Sequence, residues 1–402
     1  MSRSSAWLIL PIVAGVVIRA GLRLAAGEDA FLTHGYTFYL TLAHSFLAGD
    51  GLCYAPGESC ASRLPVYPLF LAGFIQAGVL YPGVVIAQSI IGAGVGWMAW
   101  RIGNELFAPP VGLLAAAATA FNPYAVIHDT ALQDTVLLNF LMAAALACLL
   151  AARRTRRNGL WLAAGIVLGL AILTAARVAF FAPFAIAWVA AVGGTNRRER
   201  MRAAVVVALP IVLLTGAWTM RNWRVVGAPV LTSEFGRSLY LGNNPLTFSH
   251  FPEESIDLTV DGLPQLSPDG YRSIERLAGQ DVARDALFRR MGLEYVRANP
   301  GTAAWGSARK LWVILSAQLS PAREPVVQWA YRSVFLSAHL LAIVGLWRAR
   351  RDWRVHALMW GLVLSFAITT AVFWAHTSHT GYLDPILFAY ASAGLYRLAN
   401  HQ

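Results

Sequence analysis

Three groups of carboxylates are of a type that does chemistry. Glu28 and Asp29 stand just past the first apolar run, and Asp50 lies 21 residues beyond Asp29. Asp129 and Asp134 bound the polar string His128-Asp129-Thr130-Ala131-Leu132-Gln133-Asp134 between two further apolar runs. A partly desolvated carboxylate is suited to taking a proton from a hydroxyl. Acids at a membrane boundary are expensive enough to be functional candidates by default. The plainer readings are solvation past a helix end for Glu28 and Asp29, and helix capping beside Thr130 or Thr135 for Asp129 and Asp134. His34 and His44 are suited to assisting a base or binding a metal, or simply to solvation at an interface.

The cations that would face such a base are nearly all arginines, because Lys310 is the only lysine. Arg63-Leu64-Pro65-Val66-Tyr67-Pro68 joins a guanidinium to rigid aromatic punctuation, which suits either bidentate phosphate binding or a place among lipid headgroups. Arg221-Asn222 opens a long polar stretch, and Gly242-Asn243-Asn244-Pro245 reads as a tight turn, since glycine and asparagine accept positive φ. Cys53 and Cys60 are close enough in sequence to close a small disulfide loop in an oxidising compartment. Cys148, in an apolar run, reads as a small core residue.

The elements that must position these groups are apolar helices. The 402 residues are 57% hydrophobic and only 13% charged, against about 25% charged in a soluble domain. The reading is an all-α polytopic membrane protein of roughly ten spans: 6–26, 81–100, 110–127, 136–152, 159–176, 179–193, 203–220, 326–347, 356–374 and 385–398. Gly92, Gly94 and Gly96 lie inside such a helix and read as small residues for close packing. Arg19 and Arg23, in the last turns of the first span, are expected to snorkel to the interface. The net charge of +11 comes in short arginine clusters between spans. That is a topology signal rather than a nucleic-acid surface. It puts 27–64, 128–134, 221–325 and 376–384 on one outer face. Tyr36 to Ala48 is an amphipathic stretch stopped at Gly49-Asp50-Gly51, short enough to lie along the interface. Three regions follow: an N-terminal membrane module (1–220) with outer loop 27–64, an outer-face insert (221–325), and C-terminal spans (326–402).

The order of these motifs resembles the GT-C class of membrane glycosyltransferases. The branch is that of the lipid A aminoarabinose transferases and protein O-mannosyltransferases, glycosyltransferase family 39-like. The resemblance is carried by Tyr39–Ala43 with Leu47–Gly51, Arg63–Ala72, Asn122-Pro123 followed by Asp134, Trp218–Asn222 with Gly227, Leu239–Pro245, and Tyr295–Trp312 with Asn299-Pro300 and Lys310. It implies a polyprenyl-phosphate-sugar donor, a glycan, lipid or protein acceptor, membrane lipids as surroundings, and inverting transfer on the outer face of the inner membrane. It also implies an acid in the first outer loop as base and cations on the departing phosphate. This chain departs from the pattern twice. The acid expected four residues before Tyr39 is Gly35, and His379-Thr380-Gly381-Tyr382-Leu383-Asp384-Pro385 lacks the arginine expected beside the tyrosine.

The expected carboxylates are therefore Asp29, Asp134 and Glu28. Tyr39, Arg63, Tyr67, Asp129, Arg221, Asn243, Asn244, Lys310 and Tyr382 are expected around the substrate. No cofactor is required by the sequence, and a divalent metal stays open. The rival reading is an altered or inactive GT-C-like protein that binds or carries lipid-linked sugars. A transporter would place its acids or broken helices at mid-membrane, whereas these gather at one face.

Overall fold

The computed structural model describes residues 3–33 and 35–400; His34 lies outside the described residues. The chain is 79% helical with no strands among the described residues, an all-α polytopic membrane protein. Six helices are long and apolar enough to cross a bilayer: Trp7–Ala26, Leu80–Leu106, Thr135–Thr155, Arg197–Val226, Pro325–Trp347 and Trp353–Val372. The other four expected spans fall on shorter helices, Pro109–Ala120, Asn158–Ile172, Ala182–Val192 and Asp384–Ala399. At 1.5 Å per residue, 11 to 16 residues rise only about 16–24 Å, short of a ~30 Å hydrocarbon core. The expected span 110–127 is broken because Pro123 starts a separate helix, Pro123–His128, whose N-cap Asn122 accepts from Tyr124 N. The expected span 159–176 stops at Ile172, and Arg177 sits in the 3-10 turn Ala176–Phe181.

Thr135–Thr155 is the most buried of the long helices. Leu138, Met142, Leu146 and Leu149 pack into a core shared with Trp161, Leu168, Phe181 and Met359. Cys148 is a free thiol against that core. Pro325–Ala349 and Asp384–Ala399 approach backbone to backbone at Gly345 and Gly394. A Cβ on either glycine would collide with a carbonyl of the other helix, at Tyr390 or Leu341, the close approach that small residues permit.

The segment after the first helix forms two short helices, Glu28–Thr33 and Phe38–Ala48. The second ends where the sequence placed its stop, with Gly49 left-handed at φ +91°. Val66–Gln76 packs against it, sharing a cluster of Tyr39, Leu42, Tyr67 and Leu71. Between them Cys53 and Cys60 are bonded. That loop is clamped to the 221–325 region: Ala61 N donates to Asp281 Oδ2 (3.0 Å), Ser233 N to Ala61 O (3.0 Å) and Thr232 Oγ1 to Ser62 O (2.9 Å). Within that region, Phe235–Gly242 lies on Asp281–Ala298 through Tyr240 and Phe288.

Arg19 does not snorkel. It is 1% exposed, and its Nε donates to Asp129 Oδ2 at 2.9 Å while Nη1 reaches Ala120 O at 2.8 Å. A guanidinium keeps its charge when buried, so the helix tolerates it only with such compensation. Room for the pair comes from Gly92, where a Cβ would stand 2.9 Å from Arg19 Nε and against the Asp129 carboxylate. We expect Gly92→Val and Asp129→Leu each to lower the thermal midpoint of the detergent-purified protein, the latter through a destabilisation of about 3–5 kcal/mol. The double change Arg19→Met with Asp129→Leu should recover much of that loss. Equal destabilisation by the single and double variants would mean that the pair is not what holds these helices.

Candidate active site at the helix ends remote from the arginine clusters

The polar string 128–134 is held on several sides. Arg19 takes Asp129. Arg23 Nε donates to Thr130 Oγ1 (3.1 Å) and Nη2 to Ile127 O (3.0 Å). Gln88 Nε2 donates to Asp129 O and Ala131 O, both at 2.8 Å, and Gln88 Oε1 accepts from the Tyr67 hydroxyl at 2.8 Å. Tyr36 N donates to Leu132 O at 2.8 Å. Asp134 is the last residue of this pinned segment and the first before Thr135–Thr155. Arg153 and Arg154 lie in the last turn of that helix, so Asp134 sits at the end away from them.

Asp134 occupies the N-cap position without capping, since its side chain makes no cap hydrogen bond. The carboxylate accepts instead from the Tyr39 hydroxyl and from its own backbone N–H. Burial raises its pKa; Arg177, a hydrogen bond from the Tyr39 hydroxyl, and Arg63 pull the other way. Tyr39 packs edge-on against Tyr67 with centroids 4.8 Å apart, and burial raises both phenols well above their ordinary value. Arg63 donates from Nε to the Tyr54 hydroxyl (3.3 Å) and lies 4.4 Å over the Phe38 ring. Burial opposes its charge, but Glu234, Tyr54 and Tyr39 outweigh that and hold it firmly cationic.

Arg177 completes the group. Its Nε is buried with no hydrogen-bond partner in the chain, although its charge acts on Asp134, Tyr39, His379 and Tyr382. Asp134 and Arg177 do not close into an ion pair within 4.0 Å. A carboxylate with a raised pKa and an under-used guanidinium thus share one buried locus without neutralising each other. That arrangement suits proton removal at one side and anion stabilisation at the other.

Sequence reasoning singled out Asp134, Tyr39, Arg63 and Tyr67, which lie together in the structure, and Tyr382, which is within electrostatic reach of Arg177. Others of its candidates serve the scaffold. Asp129 is held by Arg19. Arg221 Nη1 donates to Cys60 O and to Asn222 Oδ1 (3.0 Å), and its guanidinium lies 4.9 Å from the Trp218 centroid. Asn243 Nδ2 donates to Leu239 O and Val372 O, and Asn244 Nδ2 to Tyr240 O and Leu241 O. The turn at 242–245 is made by these amides and not by positive φ, for Gly242 and both asparagines stay outside the left-handed region. Lys310, 0% exposed, donates to Gly242 O (3.1 Å) and Phe373 O (2.7 Å). Glu28, Asp29, His44 and Asp50 are exposed.

Gly35 has no room for an acid. A Cβ there would collide with Leu132 and stand 2.9 Å from Phe31 O. Arg177 was missed because an arginine between two spans reads as a topology marker. The available signal was its side: it lies one span away from the clusters, on the side that also carries Arg63 and Arg221. Among the described residues no three His, Cys, Asp or Glu side chains gather as a metal site.

Residues 62–218 match the family model described as dolichyl-phosphate-mannose-protein mannosyltransferase. The match includes Arg63, Asp134 and Arg177 but covers less than half of the chain. Among solved structures, the oligosaccharyltransferase of Archaeoglobus fulgidus in its apo form superposes with a TM-score of 0.57 at 14% identity, covering 98% of this chain and 51% of that one. The chain has the GT-C fold. The oligosaccharyltransferase AglB of the same organism, in complex with an inhibitory peptide and a dolichol-phosphate, gives 0.55 at 14% identity over 100% of this chain and 52% of that one. ArnT from Cupriavidus metallidurans bound to undecaprenyl phosphate gives 0.43 at 14% identity, over 98% and 79%. This chain spans about half the length of the oligosaccharyltransferases it matches. No curated protein matches it in sequence.

Within the GT-C fold, Lys310 offers a direct check of these assignments. Burial pulls its amine down to about 7 from 10.5. Between those values the unfolded chain holds a proton that the folded chain does not, so rising pH stabilises the fold; the contribution is lost as pH falls through about 7. We expect Lys310→Met, which strips two buried carbonyls of their donor, to cost about 1–3 kcal/mol. The variant should also lose the gain in thermal midpoint that the parent shows between pH 7 and pH 9. A variant as stable as the parent across that range would contradict the scaffold role.

Proposed function

We propose that the chain is a glycosyltransferase that moves a sugar from a polyprenyl-phosphate-linked donor to an acceptor hydroxyl. The reading rests on one observation: Asp134, with its raised pKa, lies in the field of Arg177 without forming an ion pair with it, and Arg177 Nε has no partner in the chain. The family match over 62–218 and the dolichol-phosphate held by the structurally similar AglB support it. In this reading the arginine-cluster ends of the helices face the cytoplasm and the site opens outward from the inner membrane.

The proposed step is a single displacement. Asp134 takes the proton of the acceptor hydroxyl as its oxygen bonds to the anomeric carbon. The bond from that carbon to the donor phosphate oxygen breaks, and the electron pair leaves with the polyprenyl phosphate. Arg177 and Arg63, both of which act on Asp134, stabilise the extra charge on the phosphate. Attack opposite the leaving group inverts the anomeric configuration. Tyr39 orients the Asp134 carboxylate through its hydroxyl. The acceptor, whether glycan, lipid or protein, is left open by these residues.

Gly35 favours a second reading, an altered GT-C protein that binds the lipid-linked sugar without transferring it. The position where the resemblance expects the acid is sterically closed. Here Asp134 must act alone, and the two readings part on turnover. With purified donors bearing radiolabelled sugars, Asp134→Asn should abolish transfer, Arg177→Met should reduce it by about 10²–10³-fold, and Asp29→Asn should leave it unchanged. The acid limb of the parent's rate profile should lie above the ordinary carboxylate range near 4. Transfer undiminished in Asp134→Asn would remove the base; donor binding with no turnover in the parent would establish the second reading.

A further inference from the structure

Beyond Arg177, the segment that links Trp353–Val372 to Asp384–Ala399 carries a cluster that the proposed step does not use. Trp374, His376 and His379 lie ring against ring, with centroids 4.7 Å (Trp374–His376), 5.1 Å (Trp374–His379) and 6.0 Å (His376–His379) apart. Each keeps a buried ring nitrogen with no hydrogen-bond partner in the chain: Trp374 Nε1, His376 Nε2 and His379 Nδ1. Buried polar atoms are nearly always satisfied, and three of the fifteen orphans among the described residues fall in this one aromatic cluster, with a fourth, Arg177 Nε, on a side chain in electrostatic reach of His379.

The scaffold holds the cluster firmly. Ser320 N donates to Thr377 Oγ1 (2.8 Å) and Thr377 N to Ser320 O (3.1 Å). His379 N donates to His376 O (2.9 Å), and Trp374 packs on the Leu241, Phe251, Ile256 and Val313 core. The cluster therefore cannot relax to satisfy its nitrogens internally without breaking these contacts.

An indole N–H only donates, whereas a neutral imidazole nitrogen donates or accepts according to tautomer. A sugar hydroxyl does both, and a sugar's C–H face packs on an indole. Burial holds both imidazoles neutral at physiological pH, His376 near 4 and His379 well below its ordinary value. The charged groups acting on the pair are Arg177 on His379, and Arg323 and Asp257 on His376, two cations against one anion. That field disfavours a cationic amino sugar.

We propose that Trp374, His376 and His379 form the subsite that reads the hydroxyls of the transferred sugar, and that they select a neutral hydroxylated ring over an amino sugar. The inference rests on the proposed donor class. Arg177 then stands at the junction between sugar and phosphate, and the three rings decide which sugar is accepted.

The test compares binding of polyprenyl phosphate with binding of the same lipid carrying a neutral hexose or an amino sugar, to the full chain in nanodiscs. The variants are Trp374→Phe, which keeps an aromatic face but loses the N–H, and His379→Phe. In the parent the neutral hexose should raise affinity over the bare lipid phosphate by about tenfold or more, and the amino sugar should not. Each variant should lose most of that increment, about 5–10-fold per lost hydrogen bond, while binding the bare lipid phosphate as the parent does. Equal weakening for bare and glycosylated lipid, an increment unchanged in both variants, or an amino-sugar increment as large as the hexose's would overturn the subsite and leave the proposed function standing. A parent that binds none of the lipids would remove the proposed function and the subsite with it.

Discussion

The buried pair between Arg19 and Asp129 is the interaction on which the rest of the site depends. A guanidinium well inside an apolar helix cannot give up its charge, so it must find an anion. It finds Asp129, through a gap left by Gly92. That fixes one end of the string 128–134, and Gln88, Arg23 and the Tyr36 amide fix the middle. Asp134 is then delivered to a set place at the head of the central helix, where Tyr39, Arg63 and Arg177 converge on it. An acid on a loose loop would be solvated and pair with the nearest arginine. Here it is neither, and the separation of carboxylate from guanidinium follows from the pinning.

The same economy explains why several attractive polar residues are not at the site. Short helices on this side of the bundle leave carbonyls that need donors. Lys310, Asn243 and Asn244 supply them, joining the 242–245 turn to the helix Pro300–Leu315 and to the C-terminal end of Trp353–Val372. Arg221 does the same for the disulfide loop through Cys60 O. A cation and two amides beside an aromatic surface suggest a phosphate in sequence, but in space their hydrogens are already used.

The membrane architecture was legible because run length and arginine placement report directly on a bilayer. All ten expected spans fall on helices, and the helix stop at Gly49 and the disulfide were readable from local chemistry. Lengths were less legible: Pro123 and the turn at Arg177 shorten helices that hydropathy alone runs together. Asp134 was visible as an acid at the end of an apolar run. Arg177 was not, since a single arginine between spans looks like topology until its Nε is found buried beside that acid. Arg19 failed for the opposite reason, as snorkelling requires no partner and sequence gave no sign that Asp129, 110 residues away, would lie beside it. Trp374 was unremarked, because nothing in sequence shows which buried nitrogens will lack partners.

Gly35 ties these observations together. Its missing Cβ lets the first loop lie flat on Leu132, which brings Tyr39 to Asp134 and leaves position 35 without an acid. The most direct measurement is a structure of the chain with a non-cleavable polyprenyl-phosphonate analogue of the donor. The account predicts phosphonate oxygens within hydrogen-bond distance of Arg177 Nε and the anomeric carbon on the Asp134 side. A phosphonate bound beside Glu28 and Asp29, or at the arginine-cluster ends of the helices, would contradict it.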